Sequence, residues 1–136
     1  MSKAEKFAEK RHGKKAEKIA KDKERLGALI GEAKEKLKNE DVKSKLGGAY
    51  DTLLAFLRLI KAYVKGDYRS VGLGTIITIV IAILYFLNPL DLIPDFLFAV
   101  GLLDDVSVIL WAGNKLVKEI DEFREWEKSQ GQESEA

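Results

Sequence analysis

From Ser70 to Leu90 the chain runs twenty-one residues without a charge, although a third of its residues overall are charged. Its centre, VGLGTIITIVIAILYFL from Val71 to Leu87, interrupts the apolar side chains only with Gly and Thr. At ~1.5 Å rise per residue, about 20 residues cross the ~30 Å hydrocarbon layer of a bilayer. The stretch therefore predicts one transmembrane helix around which the rest of the chain is arranged. A helix that is apolar all round also suits the core of a soluble bundle, and that is the competing reading.

Charge is segregated about this stretch. Residues 1–70 hold nineteen Lys and Arg against eleven Asp and Glu, whereas residues 91–136 hold four against eleven. Lys and Arg beside a span are retained in the cytoplasm, so the N-terminal side is predicted to be cytoplasmic, with Lys61, Lys65 and Arg69 at the lipid contact. Residues 1–70 contain no short apolar run followed by a small-residue cleavage site, so the apolar stretch reads as an anchor and not as a cleaved signal. The chain has no cysteine, which removes disulfides, thiolate metal sites and a cysteine nucleophile. His12 is its one histidine, so neither a multi-histidine zinc site nor a Ser-His-Asp triad is available.

Residues 1–45 read as a charged, basic helical arm. Within it, residues 1–25 are rich in Lys, Glu and Ala and thin in large apolar side chains, which suggests a solvated helix or a disordered arm dispensable for folding. Leu26, Leu29, Ile30, Ala33 and Leu37 follow helical spacing. Asn39 to Asp41 and Gly47-Gly48 are breakers. The membrane-associated helical domain is placed at 46–128. It begins with a helix from about Ala49 to Lys65, whose stripe is Leu46, Tyr50, Leu53, Leu57, Ile60 and Val64. Gly66 is a candidate stop and Asp67 a candidate N-cap for the apolar helix. Gly72 and Gly74 lack the third glycine and preceding strand of a dinucleotide fingerprint, and are read as permitting close helix packing. A final amphipathic helix, capped by Asp104 or Asp105, is expected to run to about Lys128, with Ile109, Gly113, Leu116, Ile120 and Phe123 on one face. Residues 129–136 are expected to be a disordered tail.

The string YFLNPLDLIPDFLFAVGLLDDVSVIL, from Tyr85 to Leu110, resembles the YkvA-like family, a short bacterial domain of unknown function. The matching positions are Tyr85, Pro89, Leu90, Asp91, Leu92, Ile93, Pro94, Asp95, Phe96, Gly101, Asp104 and Asp105. Of these, Tyr85, Pro89, Pro94 and Gly101 are read as structural. One departure is Phe98-Ala99, where many members carry a further proline. The resemblance covers about residues 68–128. It implies membrane association, in the bacterial cytoplasmic (inner) membrane, and no reaction.

Asp91, Asp95, Asp104 and Asp105 place four carboxylates within fifteen residues of an otherwise apolar segment. Each ionised Asp at a bilayer centre costs ~2.5–3.5 kcal/mol, so Leu92 to Trp111 is not expected to cross lipid alone. Two readings remain. In one, the four carboxylates converge on a hard cation, Mg²⁺ or Ca²⁺, bound through oxygen. In the other, which carries more weight, they are helix caps, first-turn acids and surface groups, because Asp beside Pro and Gly is commonest in caps and turns.

The expected fold is all-α: a charged arm, an amphipathic helix, one transmembrane helix, a Pro/Asp-punctuated break and a final amphipathic helix. Either a helical hairpin with both ends in the cytoplasm or a single span satisfies the charge pattern. The expected function is a non-enzymatic membrane-anchored module acting through lipid or protein contacts, the alternative being cation binding or an ion-linked membrane function at the aspartates. Expected partners are the lipid bilayer and a second copy of the chain or a membrane protein. Nucleic acid is not expected, because the basic arm has little aromatic interleaving and many compensating acids.

Overall fold

The computed structural model describes residues 14–87 and 105–130, and all of their regular structure is helical. A helix over 14–20 (α1) leads to Asp22, whose carboxylate accepts from the main-chain N–H groups of Glu24 and Arg25 at 3.0 and 3.2 Å. That N-cap satisfies two of the donors a helix start leaves open, and α2 follows as Lys23–Lys36. Asn39 repeats the device for α3, Glu40–Leu46, accepting from Asp41 at 2.8 Å and Val42 at 3.3 Å. Gly47 then turns the chain at φ 53° into α4, Ala49–Lys65. Gly66 closes α4 in the left-handed conformation at φ 82°, its N–H bonded to the Tyr63 carbonyl while Asp67 N–H reaches Ala62 at 2.9 Å. A residue with a Cβ is strained at such a φ, which is why glycine stands there.

The apolar helix α5 spans Leu73–Leu87, and after the undescribed stretch come α6, Asp105–Lys115, and α7, Val117–Ser129. α5 is the centre of the molecule, packed against α2, α4 and α6. Its Ile76, Ile79, Val80, Ala82, Ile83 and Phe86 are fully buried. Around them lie the stripes predicted from spacing: Leu26, Leu29, Ile30, Ala33 and Leu37 on one side, Leu53, Leu57 and Ile60 on a second, Ile109, Leu116, Ile120 and Phe123 on a third. The helix predicted from about Ala49 to Lys65 has those bounds.

The expected transmembrane helix is not seen. Among the described residues, no helix is long and apolar enough to cross a membrane. The 15 residues of α5 measure about 22 Å at ~1.5 Å each, short of the ~30 Å hydrocarbon layer. Its apolar surface is instead covered by neighbouring helices. Hydropathy alone does not separate these settings, because a neighbour's Leu and a lipid tail are equally apolar.

Other expectations need correction. Residues 14–25 are no free arm: Ala16, Ile19 and Ala20 are all in the core. Accordingly α1 and α2 share one hydrophobic cluster with α4 and α5. Asp67 does not cap α5, which starts six residues later at Leu73. Gly72 and Gly74 are not close-packing positions, since an added Cβ at either meets nothing within 4 Å. Gly113 is such a position: a Cβ there would lie 2.9 Å from Thr52 Cγ2. The single long last helix is two helices, broken at Leu116 with φ −109° and ψ 22°. Hydrogen bonds from Leu116 N–H to Ala112 and from Ile120 N–H to Leu116 carry across the break, so the buried stripe stays aligned.

Candidate functional site

α5 ends where the aspartate-proline motif begins, and α2 reaches across to that end. The Lys36 ammonium donates to the main-chain carbonyl of Phe86 and lies 4.6 Å from the centre of the Phe86 ring. The last carbonyls of a helix lack internal partners and carry partial negative charge, so a cation placed there satisfies one and opposes the dipole. Tyr85, beside it, is buried. Asp91, Asp95 and Asp104, with Pro89, Pro94 and Gly101, lie outside the described residues, and Asp105 opens α6. The expected Mg²⁺ or Ca²⁺ site therefore falls outside them too. Among the described residues, no three His, Cys, Asp or Glu side chains are grouped to hold a metal ion.

Sequence spacing gave no sign of a groove of about 610 Å³ between α1, α5 and the α6–α7 break. Its apolar wall is formed by Ile77, Ile81 and Leu116. Its charged margin carries Lys14, Glu17, Lys115 and Glu119. Glu17 is already paired with Lys21 at 2.8 Å, and that hydrogen bond, followed by the Lys21 charge, holds its carboxyl below the usual range. Lys115 lies 5.3 Å over the Trp111 ring. Glu119 differs, because its Oε2 is shut from solvent and has no hydrogen-bond donor. Thr78, also on the groove, donates to the Gly74 carbonyl at 2.9 Å.

Lys61, Lys65 and Arg69, singled out for lipid contact, are all exposed around the end of α4 and the segment that follows it. Soon after them in the chain, Leu73 opens α5 with 41% of its surface exposed. On the other side of this segment Tyr68 is buried, its ring 5.1 Å from those of both Phe123 and Trp126. Phe123 and Trp126 stack at 5.7 Å, and burial followed by the Glu122 charge pushes the Tyr68 phenol above its ordinary range. Nearby, Arg58 grips Glu127 through two bonds, Nε to Oε2 at 2.8 Å and Nη2 to Oε1 at 3.3 Å. Together these contacts clamp α7 to α4 and hold the cationic segment against a rigid base. The pairing was hidden in the sequence because its members stand 69 residues apart.

Comparison with known proteins gives two matches. Residues 75–111 match the family described as Protein of unknown function (DUF1232). An uncharacterized membrane protein YkvA of Bacillus subtilis (strain 168) is 30% identical over 101 residues, covering 74% of this chain and 90% of the relative. No solved structure matches the chain.

Proposed function

The chain belongs to the YkvA-like family of proteins of unknown function (DUF1232), and from that membership we propose that it is a non-enzymatic helical module working at the bacterial cytoplasmic membrane. The observation that carries this reading is the similar protein of Bacillus subtilis, which is named a membrane protein. The chemistry of the α4–α5 junction supports it. Lys61, Lys65 and Arg69 are exposed and form no ion pair among the described residues, and the exposed Leu73 follows them. Each Lys or Arg near an anionic leaflet contributes about 1 kcal/mol, so three give roughly a hundredfold preference over a neutral surface. Leu73 adds apolar contact at the headgroup boundary. The excess of Lys and Arg before α5 supports a cytoplasmic position for the basic N-terminal half.

Flotation of the full chain with phosphatidylglycerol vesicles tests the reading against neutral phosphatidylcholine vesicles. Binding to the anionic vesicles alone is expected, with loss in a K61E/K65E/R69E variant. Absence from the membrane fraction of cells, together with no flotation on either vesicle, overturns the proposal. Carbonate extraction then separates the two modes of attachment: release marks surface binding, and retention marks an embedded helix.

A further inference from the structure

Among the described residues, the large apolar side chains most open to solvent are Leu73, Leu110 and Val117, and two of them share a face. Leu110 on α6 is 43% exposed and Val117 on α7 is 52% exposed. They belong to a stripe of exposed residues, Leu110, Asn114, Val117, Asp121 and Arg124. The spacing alternates four and three, the interval at which side chains line the seam between two packed helices. The hydrogen bonds that carry the chain across Leu116 keep this outer stripe in line as they do the inner one. All five residues line one shallow hollow of about 260 Å³, with Thr52 of α4 at its side. Asp121 and Arg124 stand three apart, yet neither forms an ion pair among the described residues. The Asn114 carboxamide likewise has no hydrogen bond among them.

We propose that this stripe is the contact between two copies of the chain, packed antiparallel about a two-fold axis that passes between Val117 and Asp121. The arrangement of polar groups selects both the occupant and its direction. One end of the stripe carries a neutral carboxamide, Asn114, and the other an acid and a base, Asp121 and Arg124. A carboxamide holds an N–H donor for a carboxylate and a carbonyl acceptor for a guanidinium. Antiparallel packing sets Asn114 of each copy against Asp121 and Arg124 of the other, and the two charge-assisted bonds occur twice. Leu110 and Val117 then lie along the same seam, where the aliphatic stem of the opposing Arg124 covers apolar surface. Parallel packing instead sets Asp121 against Asp121 and Arg124 against Arg124, which like-charge repulsion disfavours. The stripe thus carries its own complement and requires only a second copy of itself. Its 15 residues make a seam about 22 Å long and one helix wide, at the small end of specific interfaces, so association is expected at micromolar concentrations. The contact forms without lipid and does not rest on the membrane reading.

Sedimentation equilibrium of the full chain tests this over a range of concentrations. The mass is expected to rise from 15.2 kDa toward twice that value. Val117→Arg should weaken association about tenfold or more, because it sets a guanidinium into the apolar part of the seam beside the opposing Arg124. Val117 is half exposed, so the variant should keep the far-ultraviolet circular dichroism and thermal midpoint of the parent. A second pair of variants reads the direction. In Arg124→Glu the end of the stripe is wholly acidic, and adding Asn114→Lys should tighten association, since the lysine then faces two acids of the other copy. Parallel packing gives the opposite result, because lysine would face lysine. A chain that stays at 15.2 kDa up to about 1 mM overturns the proposal. So does Val117→Arg associating as the parent does, or Asn114→Lys failing to tighten the Arg124→Glu variant. A monomeric parent whose flotation on phosphatidylglycerol vesicles is lost in Val117→Arg assigns the face to lipid and also overturns the proposal. Association is read without vesicles, so its failure is distinguishable from failure of the membrane reading.

Discussion

Arg58 on α4 holds Glu127 on α7 through two bonds, at 2.8 and 3.3 Å, and Glu127 has only 12% of its side chain exposed. Arg58 is about half open to solvent, so the pair is neither a fully buried bridge nor a screened surface contact. Removing the arginine leaves a nearly buried carboxylate short of two donors. Arg58→Ala is expected to lower unfolding free energy by about 1–2 kcal/mol, below the cost of breaking a fully buried pair. Arg58→Lys should recover only part, since an ammonium cannot reproduce the fork. Urea denaturation of both variants checks this, and an unchanged midpoint in Arg58→Ala would show that the pair contributes nothing.

The first helix supplies a second prediction. Ile19 is buried against the core although the sequence around it reads as a solvated arm. Ile19→Ala should destabilise the protein by about 1–3 kcal/mol, the lower part of the range for buried isoleucine because the site lies at the edge of the core. A thermal midpoint equal to that of the parent would restore the free-arm reading.

Much of the architecture was legible because periodicity reports which face of a helix is buried. The Leu26–Leu37, Leu53–Ile60 and Ile109–Phe123 stripes were readable, and Gly66 marked its helix end because a left-handed residue is needed there. The break at Leu116 was not legible, since the nearest glycine, Gly113, serves the contact with Thr52 and the buried stripe continues through the break. The setting of α5 was not legible for a different reason. An apolar helix states only that it must avoid water, and α2, α4 and α6 meet that demand as well as lipid would. The candidate site was the least legible part. Lys36 with Phe86, and Lys14 with Glu119, come from distant parts of the chain and follow no local spacing.

Gly113 and Thr52 make a third prediction. In an open helix Gly→Ala gains up to about 1 kcal/mol of helix propensity. Here the new methyl would stand 2.9 Å from Thr52 Cγ2, closer than carbon atoms approach without displacement. Gly113→Ala is therefore expected to be net destabilising by about 1 kcal/mol. Thr52→Ser removes the opposing methyl, so in that background Gly113→Ala should turn neutral or stabilising. A double-mutant cycle measures the sign change, and simple additivity of the two substitutions would show that the contact is not the cause.

The last prediction concerns alkaline pH. Tyr68 lies buried between Phe123 and Trp126, and its phenol is pushed above the ordinary value near 10, first by burial and then by the Glu122 carboxylate. In the unfolded chain the same phenol ionises at its ordinary value. Between the two values the folded protein therefore binds more protons than the unfolded one, so unfolding free energy falls as pH rises. The contribution is complete below about pH 10 and is lost as pH climbs through the raised folded value. Tyr68→Phe keeps the ring contacts and removes the titrating group, so it should flatten the Tyr68 share of that decline. Denaturation midpoints measured from neutral to strongly alkaline pH, with tyrosinate absorbance followed in parallel, give both quantities. Identical pH profiles for the parent and Tyr68→Phe would rule out Tyr68 as a source of the alkaline loss.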